Sequence, residues 1–259
     1  MIHHTITLLA VSLALVIACN PSEVADPMSH IADQKVKEVL NRGFNSAGGL
    51  DTYMNLDEVT FTKKTILYLP DGGIESEVIQ QHNYDLYPEL RGDITWSDSL
   101  GDHGIHYSTA DTYKSLNGER LAGSETSARQ GFYSNYYVLF LPYKLIDPGV
   151  TLSYDGVAEI GDRSAEIIKA TYSPEKHDNH STSDEWYLYF DTTDGRVLAN
   201  LVYHPPTYAF IENTSTTEEF PLRMNVYRQT WRTDKDRNKE YLRGEFWYSD
   251  YGFSSITQN

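Results

Sequence analysis

The sequence predicts a mainly β fold: a single curved antiparallel sheet forming an open half-barrel, with a few helices as its lid. Three observations carry that expectation. Turn-bounded β-like runs recur along most of the 259 residues. The crossover helices that parallel neighbours would need are missing between those runs, so consecutive strands are expected to pair antiparallel. One helical stretch, residues 124–141, is apolar nearly all round in its last turns and has to be buried on more than one side. The aromatic content, 20 Tyr, 9 Phe and 4 Trp, suits strands and half-wet surfaces, where a ring is covered while a hydroxyl stays hydrated.

The first structured element is expected to be a helix from Ile31 to Phe44, with Ser29 as its cap and Val36, Val39 and Leu40 on one face. Gly48-Gly49 ends that region. Val59 to Leu69 and Ile74 to Tyr84 flank "PDGG" and read as a hairpin. Shorter strands are expected at 91–96, 104–108 and 112–116, the last followed by Asn117-Gly118 as a turn. Residues 124–141 form the helix already noted, opened by Ser124, with Ala128, Phe132, Tyr136 and Phe140 at four-residue spacing and Pro142 as its stop. Two hairpins follow, 150–160 with 164–172 across "GDR" and 185–190 with 197–203 across "DTTDG". Leu222 to Trp231 and Glu240 to Tyr248 close the count at about ten strands, joined by the charged loop "RTDKDRNK".

Alternation along the strands argues for curvature. In "DEWYLYFD", Trp186, Leu188 and Phe190 face one way and Tyr187 and Tyr189 the other, so neither face is directed at solvent. In "LRMNVYRQTW", Leu222, Met224 and Val226 oppose Arg223, Asn225 and Gln229, a one-sided strand. A sheet covered on both faces in one part and wet in another suits a half-closed barrel with helices in its opening.

The N-terminus carries targeting chemistry. Ile6 to Ala18 is apolar apart from Thr7 and Ser12 and falls short of the ~20 residues that span a bilayer. Its start has His3 and His4 where export signals usually carry Lys or Arg. Val16-Ile17-Ala18-Cys19 reads as a lipobox: residues 1–18 a signal peptide, Cys19 the lipidated N-terminus, 19–29 a tether and 30–259 one domain. Ordinary secretory cleavage at the same bond and an uncleaved anchor are the alternatives. Cys19 is the sole cysteine, which leaves the mature chain without disulfides, cysteine metal sites or a cysteine nucleophile. All charged residues follow Cys19. With 37 acids against 21 bases the net charge is −16, which repels phosphate backbones and makes nucleic acid an unfavourable partner.

The stretches "AGGLDTYMNLDEVTF", "LPYKLIDPGVTLSYDG", "IGDRSAEIIKATY" and "DEWYLYFDTTDGRVLANLVYH" resemble a family of uncharacterised lipoproteins found mainly in Bacteroidetes, and more distantly the LolA/LolB-like lipoprotein carriers. The resemblance covers roughly residues 30–250. It implies the half-barrel with a helical lid over an apolar cup and no settled activity, and makes binding of an acyl chain or other hydrophobic ligand the leading expectation. The expected location is the cell envelope, lipid-anchored at the outer membrane. No functional residue of the carriers maps onto a position here.

Candidate ligand contacts are Phe132, Tyr133, Tyr136, Phe140 and Tyr143 on the lid, with Trp186, Leu188 and Phe190 as the opposite wall; ordinary core packing is the competing role for each. The expected partners are the membrane, through the lipid on Cys19, and a hydrophobic small molecule or acyl chain, bound by a monomer with no cofactor. "KHDNHSTSDE" gathers His177, Asp178, His180, Asp184 and Glu185, a donor set that could suit zinc but matches no closed zinc spacing, so a solvated loop is preferred and no metal is expected. Gly-x-Ser-x-Gly, His-Glu-x-x-His and a phosphate-binding glycine loop are all missing, and a catalyst is not expected, although a triad is defined by space and needs no motif. A third class is glycan or protein binding at the cell surface by "VYHPPTYAF" and "EFWYSDYGF". Outward coplanar rings there would favour a glycan, inward rings a lipid cup.

Overall fold

The computed structural model describes residues 26–174, 183–218 and 221–255. Thirteen strands make one curved, open antiparallel sheet. The chain enters through α1 (Gln34–Ser46) and the short α2 (Leu50–Met54). One half of the sheet follows as β1 (Leu56–Tyr68), β2 (Ile74–Asp85), β3 (Arg91–Asp98), β4 (Gly101–Tyr107), β5 (Thr112–Leu116) and β6 (Glu119–Arg120). Helix α3 (Glu125–Leu139) and a 3-10 turn (Tyr143–Ile146) lead to the other half. That half comprises β7 (Val150–Ile160), β8 (Arg163–Tyr172), β9 (Glu185–Asp191), β10 (Val197–His204), β11 (Thr207–Thr216), β12 (Asn225–Thr233) and β13 (Lys239–Ser255).

Every strand pairs with its sequence neighbour except at one seam. There β1 pairs with β13, so the first and last strands meet mid-sheet and β6 and β7 become the two edges. The segment joining β6 to β7 therefore has to travel from one edge to the other, and α3 makes that journey across the concave face. Its flank packs on β4 and β5, Asn135 accepts from Lys63 Nζ of β1 at 2.5 Å, and Tyr137 meets Tyr172 of β8 hydroxyl to hydroxyl at 2.6 Å. Bulges near Leu56, Thr60 and Tyr154 help bend the strands around it.

The expected hairpins form across their turns. Leu69 N–H donates to Gly73 O at the first, with Gly72 at φ 86°. At "DTTDG" the Asp191 carboxylate accepts from Thr193 and Asp194 N–H and pairs with Arg163 at 2.5 Å. Helix α1 starts three residues later than expected: Asp33 is its cap, accepting from Lys35 and Val36 N–H, while Ile31 stays buried ahead of it. Ser124 does stand before α3, but its hydroxyl does not cap the helix. It accepts from Lys114 N–H and donates to Leu121 O, tying the helix start to β5. Two strands exceed the expected set, the short β6 and β11. Strand β11 was hidden because Pro205-Pro206, which reads as an end of structure, forms the turn of the β10–β11 hairpin.

A single core fills the concave side between sheet and helices. A second cluster, Ala165, Ile167, Tyr189, Ala199, Leu201 and Phe210, lies on the opposite face of β8–β11. The β12–β13 loop helps cover it: the Arg237 guanidinium sits 5.2 Å over Tyr189 and 5.9 Å over Phe210 and donates to Glu159 O. The two-sided burial expected of "DEWYLYFD" is the result, with Leu188 0 % and Tyr189 4 % exposed on opposite faces.

Candidate functional site

All eight predicted contact residues are buried in the concave core. Tyr84 of β2 and Tyr107 of β4 continue a cluster of rings with Phe132, Tyr133, Tyr136 and Phe140 at centroid spacings of 4.3–5.9 Å. Tyr143 joins this cluster through Tyr53, which lies 4.5 Å from it and 5.4 Å from Phe140, and stacks on Phe44 at 5.5 Å. The opposite wall meets the lid through Tyr137, whose ring lies 5.5 Å from Trp186. Phe190 instead lies under Gly43 of α1, and Leu188 is fully enclosed. Burial raises the Tyr53, Tyr84 and Tyr172 hydroxyls well above the usual phenol range, so these rings stay neutral.

A cavity of about 610 Å³ opens beside this packed region, and none of the eight lines it. It lies where the C-terminal ends of α1 and α3 approach the ends of β10, β11 and β12, with Ala47, Val138, Leu141 and Val197 as apolar wall. Its polar lining includes Asn200, Asn213, Arg223 and Arg228, together with Asp162, Arg163, Arg196 and Glu212. Arg228 is 5 % exposed and lies over Phe246 and Tyr248 at 5.4 and 5.3 Å, with its Nε lacking a partner. Asn213 stands opposite it in the ladder, donating to Val197 O at 2.9 Å and leaving its Oδ1 unpartnered. Asn200, 1 % exposed, also has an unpartnered Oδ1. Lys63, across β13, lies 5.1 Å from the Phe246 centroid; burial and the neighbouring Arg228 charge lower its pKa to about 7.

Sequence pattern alone does not single out Arg228. The apolar face of "LRMNVYRQTW" starts at Leu222, Met224 and Val226, but Leu222 and Met224 precede the strand and Arg228 occupies the next position on that side. An arginine in apolar phase was the available signal.

A second arrangement lies on the opposite sheet face. Cross-strand partners Asp93 and His106 hydrogen bond through Oδ1 and Nδ1 at 2.5 Å, while His106 Nε2 lies 2.8 Å from Ser115 Oγ. Gly104 leaves the room for this, since a Cβ there would meet His106 Nε2 at 2.5 Å and Ser115 Oγ at 2.6 Å. His106 and Ser115 line a groove of about 460 Å³. Only the strand register brings the three together, so no sequence motif announced them.

Of the loop donors, His177, Asp178 and His180 lie outside the described residues. Asp184 accepts from or pairs with His204 Nδ1 at 2.5 Å, and Glu185 pairs with Lys169 at 3.0 Å. Among the described residues no group of three metal-ligating side chains gathers. The surface aromatic segments split between faces. Phe246 and Tyr248 point into the concavity, whereas Tyr203 stacks on Tyr208 and Trp247 leans on Tyr227 across strands.

An open antiparallel sheet curved around a cross-bridging helix defines the class of fold: the LolA-like half-barrel. Two solved structures similar to this chain specify it further. A DUF1329 family protein from Desulfovibrio piger superposes with TM-score 0.56 at 9% identity, covering 84% of this chain and 92% of that one. A LolA superfamily protein from Nitrosomonas europaea gives 0.53 at 10% identity, covering 85% and 94%. At such identities the likeness is one of fold. No protein-family model matches the chain, and no curated protein matches it in sequence.

Proposed function

We propose that this protein is an envelope lipoprotein, held at the outer membrane by a lipid on Cys19, that binds a hydrophobic ligand non-covalently between its sheet and its helices and catalyses nothing. An acyl chain or a lipidated partner is the class of ligand. The observation that carries the reading is the cavity of about 610 Å³ between the ends of α1 and α3 and the sheet, a volume within the roughly 300–1,000 Å³ of small-ligand sites. The packed rings of α3 would act as a plug: a longer ligand extends from the cavity by displacing Phe140 and Tyr136 toward Tyr133. Each 100 Å² of acyl surface buried contributes about 2.5 kcal/mol toward that rearrangement. Native mass spectrometry of the full chain purified from envelopes, with lipid extraction, tests this. One lipid class at one per protein is expected; a mass without adduct from a lipid-rich envelope would count against the reading.

A second reading, acyl-ester hydrolysis, is favoured by the Asp93–His106–Ser115 relay. Ser115 Oγ would attack the carbonyl carbon and pass its proton through His106 to the leaving alcohol, and water would then release the acid. It ranks second for two reasons. Asp93 is 56% exposed, which weakens its hold on the imidazole. Ser115 is paired on both sides, with Gly104 of β4 and Arg120 of β6, so its backbone N–H belongs to a ladder and is not free to help form an oxyanion hole. A fluorophosphonate probe is expected to leave Ser115 unlabelled. Labelling that vanishes in Ser115→Ala would reverse the ranking.

A further inference from the structure

We propose that the cavity is a binding site for an anionic group, a carboxylate or a phosphate, and hence that the hydrophobic ligand is an acidic amphiphile whose head lies against Arg228. For the tail this rests on the hydrophobic-ligand reading above; the anion site stands on its own observations.

Arg228 is nineteen-twentieths buried, borders the cavity and has an Nε without a hydrogen-bond acceptor. A guanidinium is a permanent cation with five N–H donors, and burying one without a counter-charge is costly. Most buried arginines resolve this with a carboxylate. Here, among the described residues, no carboxylate pairs with Arg228 or with the neighbouring Lys63: Arg228 has two aromatic faces and the Tyr248 hydroxyl, and Lys63 has the Phe246 ring and the Asn135 amide. Arg223, also on the cavity wall, donates to Ser46 Oγ at 3.2 Å. The same wall carries Asp162 and Glu212; Glu212 is already engaged by Lys239 at 2.8 Å and Trp231 Nε1 at 2.8 Å. In a chain of net charge −16, a permanent cation left without a carboxylate on the concave floor, beside a lysine that also lacks one, marks a place kept for an external anion. The unpartnered Asn200 and Asn213 oxygens beside it can accept from a hydroxyl or amide of the same head group.

The experiment compares delipidated full-length protein binding palmitate, hexadecyl phosphate, hexadecanol and inorganic phosphate, in wild type, Arg228→Met and Arg228→Lys. A charge-assisted hydrogen bond predicts that wild type binds palmitate or hexadecyl phosphate about 10- to 100-fold more tightly than hexadecanol. Arg228→Met should erase that difference by weakening the acids alone, and Arg228→Lys should restore part of it. The comparison among ligands within the wild type needs no variant to fold. Equal binding of the acids and hexadecanol overturns the anion site and leaves the hydrophobic-ligand reading standing. Arg228-dependent binding of inorganic phosphate, with the amphiphiles no tighter, keeps the anion site and overturns the acidic-amphiphile assignment together with the lipid reading. Binding of none of the four overturns both.

Discussion

Single positions decide several energies in this protein, sometimes against general preference. Gly43 lies inside α1, where alanine is ordinarily better by about 1 kcal/mol. A Cβ there would meet the Phe190 ring at 2.5 Å, and Phe190 is 1 % exposed with nowhere to retreat. Gly43→Ala should therefore destabilise by about 1–3 kcal/mol in urea unfolding, the cost of overpacking; a gain in stability would mean that α1 stands farther from β9. Lys63 shows a different cost. Facing Arg228, His82 and the Phe246 and Tyr248 rings, its ammonium loses hydration, and its pKa falls from 10.5 to about 7. Between pH 7 and 10.5 the unfolded chain then binds a proton that the folded one does not, so this group's contribution to stability rises with pH across that window. Below pH 7 its cost is present in full. Lys63→Met should stabilise the ligand-free protein at pH 6, by an amount on the order of 2 kcal/mol, and by less at pH 9.5. A pH-independent difference in urea midpoints would remove Lys63 as the titrating group.

At the scale of elements, the helices are held by polar ties at their ends and packing along their lengths. Asp33 satisfies two of the free N–H groups at the start of α1, and Glu166 of β8 receives both Lys35 and Arg42 of the same helix. Asp33→Ala should cost about 1 kcal/mol, while Ser29→Ala should leave the urea midpoint unchanged. The reverse result would restore Ser29 as the cap. Helix α3 is tied by its start to β5 through Ser124 and by Tyr137 to Tyr172 of β8, so it bridges both halves of the sheet. Its last turn and the residues just beyond it, through Val138 and Leu141, form part of the cavity wall.

For the whole molecule, the seam between β1 and β13 is the organising contact. It joins the ends of the described chain in mid-sheet and forces the β6-to-β7 connection over the concavity. The concave side is thereby spanned by the chain's own connecting segment. The prediction at this scale concerns the anchor. Cys19→Ser should move the protein from the membrane to the soluble envelope fraction and abolish palmitate labelling. Membrane retention of Cys19→Ser would sink the lipobox assignment.

Most strands were legible because their signals are local. "PDGG" and "DTTDG" set turns, and alternation in 185–190 identified two covered faces before any neighbour was known. Helix α3 was legible for the same reason, its apolar circumference being a property of its own residues. Strand β11 and the Asp33 cap were missed where two local signals competed, proline against strand and Ser29 against Asp33. The candidate sites follow the same division. Composition announced the rings of α3 and β9, but whether a ring lines a space or fills it depends on what lies opposite, and here they fill it. Arg228 and the Asp93, His106 and Ser115 relay belong to register, which places residues far apart in sequence within hydrogen-bond reach. By itself, then, the sequence determined periodicity, turns and a β architecture with a buried helix, because these arise from interactions a few residues apart. The tertiary structure alone decided which strands form the edges, where the cavity opens and which cation is buried without a partner, because those depend on the β1–β13 seam between distant parts of the chain.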